Sequence, residues 1–123
     1  MKNKILIVGD ESGIFFAFKK MLKGEHYQMV TSSQPNEIFH LVLKLHPSLL
    51  ILNLKLYGNF RAELLVQLKK TFPSLPILAM TTFTNVLTEK LIMRLGASGY
   101  IRMPFDIHEM LVKIRQLSQY QNA

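Results

Sequence analysis

Few side chains in this sequence are equipped for chemistry. There is no cysteine, so disulfides, thiolate metal sites and cysteine nucleophiles are excluded, and a reducing cytoplasm suits the chain. The four histidines, His26, His40, His46 and His108, have no i, i+4 pairing and no metal-ligand spacing, and read as solvated or packing residues. No G-x-G-x-x-G or G-x-x-x-x-G-K-[ST] loop is present to cradle a nucleotide, and no G-x-S-x-G elbow to present a serine nucleophile. What remains is a set of residues each placed where a short apolar run stops. Gly9, Asp10 and Glu11 follow KILIV, Asn53 follows LLIL, Thr81 and Thr82 follow PILAM, and Arg102, Met103 and Pro104 follow GYI. Asp10 and Glu11 are hard oxygen donors of the kind Mg²⁺ takes, although helix dipoles also favour acids at this kind of position.

These residues act together only if the chain brings the ends of those runs to one place, and the pattern of elements does so. Lys4 to Val8 is a continuous apolar run stopped by Gly9-Asp10, which reads as a fully buried parallel strand. A helix follows with Ser12 as N-cap, Ile14, Phe15, Phe18, Met21 and Leu22 on one face, Lys19, Lys20 and Lys23 on the other, and Gly24 as the stop. Tyr27 to Thr31 is a second strand. Ser33 or Gln34 opens a second helix with Pro35 in its first turn, a buried stripe of Ile38, Leu41, Val42 and Leu45, and Pro47 at its end. Leu49 to Leu52 is the third strand. Asn59 caps a third helix carrying Leu64, Leu65 and Leu68 and closed by Pro73; Pro76 to Met80 is the fourth strand. A fourth helix, 86 to 95, stops at Gly96, and Gly99 to Arg102 is the fifth strand. The last helix puts Ile107, Met110, Leu111, Ile114 and Leu117 on one face, and the tail SQYQNA is polar and frayed. Five strands alternate with five helices. That pattern predicts βαβ units, one parallel sheet and helices on both faces, with ligands at the carboxyl ends of the strands.

Composition agrees. At 123 residues the chain has the size of one domain, spans 1–123 without a linker or repeat, and is long enough to bury a core. A hydrophobic fraction of 49% against 19% charged excludes a disordered chain. No apolar run reaches the roughly 18 residues a membrane span needs, and the N-terminal run is too short for a signal peptide, so the start belongs to the fold. The net charge of +7 suits an acidic protein surface or a nucleic-acid backbone, and equally a solvated basic surface.

The segments KILIVGDE, PSLLILNLKLYG, PILAMTT and GASGYIRMPFD resemble the receiver domain of two-component response regulators, over essentially the whole chain. The last segment is the most specific. The resemblance implies a doubly wound (βα)5, flavodoxin-like α/β sandwich with sheet order 2-1-3-4-5, the order the CheY-type receiver exemplifies. It also implies a five-part phosphorylation pocket, which here reads Gly9, Asp10, Asn53, Thr81 and Met103. One acid of the first pair is Gly9, the phosphoacceptor aspartate is Asn53, and the lysine is Met103; Tyr57 stands where the family usually has proline. Asp10 and Thr81 match, and Tyr100 matches the rotating aromatic that couples the threonine to the outer face.

These departures change the chemistry expected. An amide nitrogen delocalised into its carbonyl cannot form the acyl phosphate that a carboxylate forms. Two unit charges a few ångströms apart interact by roughly 4 kcal/mol at an effective dielectric of 20, so losing two carboxylates leaves Asp10 and Glu11 as a residual, weak Mg²⁺ site with no other cofactor. A lysine facing fewer carboxylates would be an unpaired charge, which Met103 avoids. The sequence therefore predicts a non-enzymatic, phosphorylation-independent pseudo-receiver that binds proteins. The family's usual partner or dimer face is the fourth helix, fifth strand and fifth helix. Here it would carry Lys90, Arg94, Tyr100, Arg102 and Lys113, a basic surface with an aromatic anchor for an acidic partner or a second copy. Other readings stay open: a crevice for a small neutral ligand, a nucleic-acid surface, or the N-terminal regulatory domain of a longer DNA-binding regulator. Against nucleic acid, the lysines are spread over several helices with no stacking platform.

Overall fold

The runs without a polar face become the central strands, because only a strand covered on both sides buries every side chain. The computed structural model describes residues 3–57, 59–82 and 86–119 of the 123. Its main sheet has β1 (Asn3–Val8), β2 (Tyr27–Ser32), β3 (Leu49–Asn53), β4 (Ile77–Thr81) and β5 (Gly99–Arg102), all parallel, in the order 2-1-3-4-5. The register pairs Val8 with both Ser32 and Leu52, Asn53 with Met80, and Thr81 with Arg102, so the carboxyl ends of neighbouring strands finish together. The helices are α1 (Ser12–Leu22), α2 (Ile38–Leu45), α3 (Ala62–Thr71), α4 (Val86–Arg94) and α5 (Ile107–Gln119).

Alternation along the strands splits the core into two layers. Ile5, Ile7, Leu49, Ile51, Leu78 and Met80 pack under α1 and α5 through Phe18, Met21, Leu22, Met110 and Ile114. Leu6, Val8, Leu50, Leu52, Ile77 and Ala79 pack under the other three helices through Ile38, Val42, Leu65, Leu68 and Ile92. Each large apolar side chain among these contributes about 1.5–3 kcal/mol when fully buried. Helix ends follow local chemistry: α2 ends at His46, whose φ of 49° is left-handed, just before Pro47. Gly96, at φ 120°, follows α4; a Cβ there would lie 2.6 Å from Lys69 Cγ.

Several expectations are corrected. Glu11, not Ser12, is the N-cap of α1, and Ser12 is already helical. The second helix begins as a single 3-10 turn, Pro35–Glu37, because proline supplies a suitable φ but no N–H. Asn59 does not cap α3: Asn59–Phe60 pairs antiparallel with Lys55–Leu56, and Arg61 is the N-cap. Beside the five parallel strands there is thus a two-residue ladder that alternation of long elements could not reveal. Ile107 is 59% exposed rather than buried, lying at the first turn of α5 beyond the sheet's end. Ser118 is not part of a frayed tail: it is fully buried, its hydroxyl 3.2 Å from that of Tyr27. Residues 120–123 of the expected tail lie outside the described residues. Among the described residues, no helix is long and apolar enough to cross a membrane.

Candidate functional site at the strand tips

The tips of β1, β3, β4 and β5 carry the pocket residues read from the sequence, and the paired strands set them side by side. Gly9 donates its N–H to the Ser32 carbonyl at 3.1 Å. A Cβ at Gly9 would stand 3.9 Å from Asn53 Cβ and 3.8 Å from the Phe15 ring, ordinary contact distances, so the two positions are neighbours and a side chain fits there. Asn53 is 3% exposed; its Oδ1 accepts the N–H of Lys55 at 3.1 Å, the local turn that asparagine favours. Leu54 continues toward β4 by donating to the Met80 carbonyl at 3.1 Å.

Thr81 is buried. Its carbonyl accepts the Met103 N–H at 2.7 Å, which fastens the tip of β5 to that of β4, while its hydroxyl has no partner among the described residues. Met103 packs on the α1–α5 layer. The following loop is held against α1 by Phe105, whose ring centroid is 5.6 Å from that of Phe18. The structure thus gathers Gly9, Asp10, Asn53, Thr81 and Met103 along one edge. Glu11 is not turned into that row: it is exposed, and with Thr82 and Met103 it borders an open groove of about 510 Å³ floored by Ile14, Met21 and Phe105.

The sequence did not disclose what Asp10 does. Its Oδ2 accepts the backbone N–H of Tyr57 at 2.6 Å, and the Tyr57 hydroxyl donates to the Ser33 carbonyl at 2.8 Å. Tyr57 adopts φ 51°, a left-handed conformation that costs a non-glycine residue about 1–2 kcal/mol. A glycine next in sequence, in the Tyr57-Gly58 pair, was the available signal for such a φ at Tyr57.

Receiver pockets use Mg²⁺, and this donor set does not fit it. Mg²⁺ asks for near-octahedral hard oxygens with one or two carboxylates. Asp10 is already bonded to Tyr57 and Asn53 Oδ1 to Lys55, and Glu11 faces the groove. Among the described residues, no three His, Cys, Asp or Glu side chains gather into a metal site.

Tyr100 sits one strand-residue before the tip of β5, partly buried against the α2–α4 layer. Its phenol titrates above the ordinary value, mainly because its hydroxyl is hydrogen-bonded to Glu89; burial and the Glu89 charge add to this, and Arg102 opposes it. Arg102 Nε lies 3.9 Å from Glu89. The expected basic face is therefore mixed. Lys90 and Arg94 flank Tyr100, but Glu89 lies between them and Arg102, and Glu109 accompanies Lys113. Acids at i−1 and i−4 from the named bases were visible in the sequence but could not be placed without the crossing of α4 over β5.

Comparison with known proteins agrees with this architecture. The chain is 29% identical over 94% of its length to the DNA-binding transcriptional regulator NtrC of Klebsiella pneumoniae, of which it covers 25%. It thus spans about a quarter of the length of the curated relatives it matches. The crystal structure of the receiver domain of NtrX from Brucella abortus superposes with a TM-score of 0.84 at 25% identity, over 94% of this chain and 98% of that one. A CheY-like receiver domain protein from Methanospirillum hungatei gives 0.87 at 24% identity, over 99% and 98%. Residues 5–115, nearly all of the sheet and its helices, match the response regulator receiver domain family, a family of regulatory domains rather than enzymes, and the chain belongs to it.

Proposed function

We propose that this domain is a receiver that works without phosphorylation, as a protein-interaction module in two-component-type signalling. The observation that carries the reading is Asn53: a buried amide, its oxygen committed to Lys55, at the place where the family resemblance puts the phosphoacceptor carboxylate. Gly9 and Met103 point the same way, since they remove one negative and one positive charge from the same pocket. The partner surface is α4, β5 and α5, with Tyr100 as anchor and Lys90, Arg94, Arg102 and Lys113 around it. Because Glu89 and Glu109 interrupt the basic residues, the fitting partner is a protein of mixed, predominantly acidic surface, with a second copy of the chain as the other occupant. The relatives are transcriptional regulators four times as long, which supports a regulatory N-terminal domain controlling a DNA-binding partner domain. The groove beside Met103 supports a second reading, a site for a small neutral ligand.

The test is exposure to acetyl phosphate, or beryllofluoride, with Mg²⁺, followed by NMR and intact mass. The expected result is no added phosphate and no response at Asn53, Thr81 and Tyr100. A saturable response there, or a mass gain of one phosphate, overturns the proposal.

A further inference from the structure

Among the described residues, the Nε of Arg61 is the only side-chain nitrogen buried without a hydrogen-bond partner. The two terminal nitrogens are not covered in this way, and neither ion pair among the described residues includes them. The backbone under this guanidinium is fixed on both sides: the Arg61 N–H donates to the Leu54 carbonyl at 2.6 Å, and the Arg61 carbonyl accepts the Leu65 N–H at 3.3 Å. Arg61 borders an open groove of about 340 Å³ on the α2–α3 side of the sheet. The apolar wall of the groove is Phe39, whose ring centroid lies 6.0 Å from that of Phe72, together with Leu64. Phe60, 52% exposed, stands at its rim. Glu63 also borders the groove, exposed on the first turn of α3, where the helix dipole favours an acid, and it forms no ion pair with Arg61.

A guanidinium with a dry, unpaired Nε has given up water without gaining a bond, so an acceptor at its terminal nitrogens meets a smaller desolvation cost. A carboxylate matches that planar fork with two parallel hydrogen bonds. The groove is of the size that small ligands fill, and its rings and Leu64 suit an apolar body. We propose that this groove is a binding site for a small aromatic monocarboxylate, its carboxylate on Arg61 and its ring against Phe39 and Phe60. Glu63 at the edge repels a second negative charge, which selects a monocarboxylate over a dianion such as inorganic phosphate. The site goes beyond the function proposed above. It shares no residue with the strand-tip row or with the α4–β5–α5 surface, so the failure of one leaves the other standing.

Phenylacetate, which joins one carboxylate to one ring, is the probe. It is titrated into the domain while the amide resonances of Phe60, Arg61 and Leu64 are followed by NMR. The wild type should saturate with a Kd of about 1 mM or tighter. Arg61→Gln keeps both backbone bonds and a polar head but loses the charge, and should weaken binding by about tenfold or more, the value of a hydrogen bond to a charged group. Phe60→Ala, at an exposed position, should weaken it by about threefold. Benzyl alcohol, the same ring without the charge, and inorganic phosphate, charge without the ring, should each bind the wild type at least about tenfold more weakly than phenylacetate. No saturable response with phenylacetate up to about 10 mM overturns the site, as does equal affinity in either variant. If R61Q does not fold, the comparison of probes on the wild type decides: benzyl alcohol or phosphate binding as tightly as phenylacetate overturns the assignment.

Discussion

Asn53→Asp and Met103→Lys, made singly and together, test whether the strand tips form one electrostatic unit. Position 53 is 3% exposed and neighbours Asp10 by way of Gly9 and the Tyr57 loop, so a second carboxylate there is both desolvated and beside a like charge. Both effects raise its folded-state pKa above the usual 3.9 or so. A carboxyl raised in the folded state binds more protons folded than unfolded, so stability falls as pH climbs through the unfolded pKa. N53D should therefore be nearly neutral at pH 3–4 or so and cost about 2–3 kcal/mol at pH 7. Met103 is only partly buried, so a lysine can reach outward and M103K should cost about 1–2 kcal/mol in lost apolar contact. Together the two charges meet. β3 and β5 are separated by one strand, and Asn53 is in register with Ile101, two residues before Met103, which puts the two Cα atoms about 12 Å apart at the usual strand spacing and rise, still bridgeable by a lysine's four-carbon stem and a carboxylate together. At about 4 Å and an effective dielectric of 20 the attraction is ~4 kcal/mol, and partial exposure of position 103 reduces it to a coupling of about 1–3 kcal/mol. The assay is urea unfolding at pH 7 followed by far-UV circular dichroism, since the chain has no tryptophan. Additivity of the two changes within about 0.5 kcal/mol would show that the tips do not converge electrostatically.

Three further outcomes follow from single contacts. Thr81→Val removes a buried hydroxyl that has no partner among the described residues while keeping shape and the carbonyl bond to Met103, and should raise stability by about 1 kcal/mol in a thermal melt; a loss of that size would show that the hydroxyl is satisfied. Tyr100 should titrate above pH 10 by NMR, its contribution to stability present below the ordinary phenol pKa and lost as pH rises through the raised one, and Glu89→Gln should return it toward the ordinary value; an unmoved titration would mean that Glu89 does not hold the phenol. Gly96→Ala forces φ 120° on an L-residue and drives its Cβ into Lys69, so it should cost about 1–3 kcal/mol by urea unfolding, and Lys69→Ala in the same chain should recover only a small part, because the residue 69 Cβ, 2.8 Å away, remains; a neutral G96A would refute the left-handed geometry.

The fold was legible because its signals are long and redundant. KILIV and LLIL have no polar face, and in a chain of alternating elements that leaves only the interior of a parallel sheet. The site was legible to the extent that it sits on strand ends: once Val8, Leu52, Met80 and Ile101 are placed in adjacent strands, Asp10, Asn53, Thr81 and Met103 must come near one another. Contacts made by single loop residues were not legible. The Tyr57 N–H reaches Asp10 because of one left-handed φ, and no periodicity encodes that. Ile107 kept the helical spacing of a core residue but lies where α5 has not yet reached the sheet. The acids on the basic face were hidden for a similar reason: which charges share a surface depends on which helix crosses which strand, and Glu89 joins Lys90, Arg94 and Arg102 only through the packing of α4 beside β5.

The division between core and rim also bears on how a receiver can change its chemistry and keep its shape. Ile5, Leu6, Ile7, Leu50, Ile51, Leu52, Leu78 and Ala79 are fully buried in the body of the sheet, and none of them reaches the crevice. The pocket residues lie at or just beyond the strand ends, and of them only Met103 packs on a core layer, so the others can change while both packed layers stay in place. What a change there does alter is the balance of fixed charges at the tips. In a half-buried pocket a charge without a partner costs several kcal/mol, so acid and base are lost most readily together, and an acid that stays must find a donor. Asp10 has found one in the Tyr57 backbone. The α4–β5–α5 surface depends on the packed layers and not on those charges, so it can hold a receiver's outline whether or not the crevice can take a phosphoryl group.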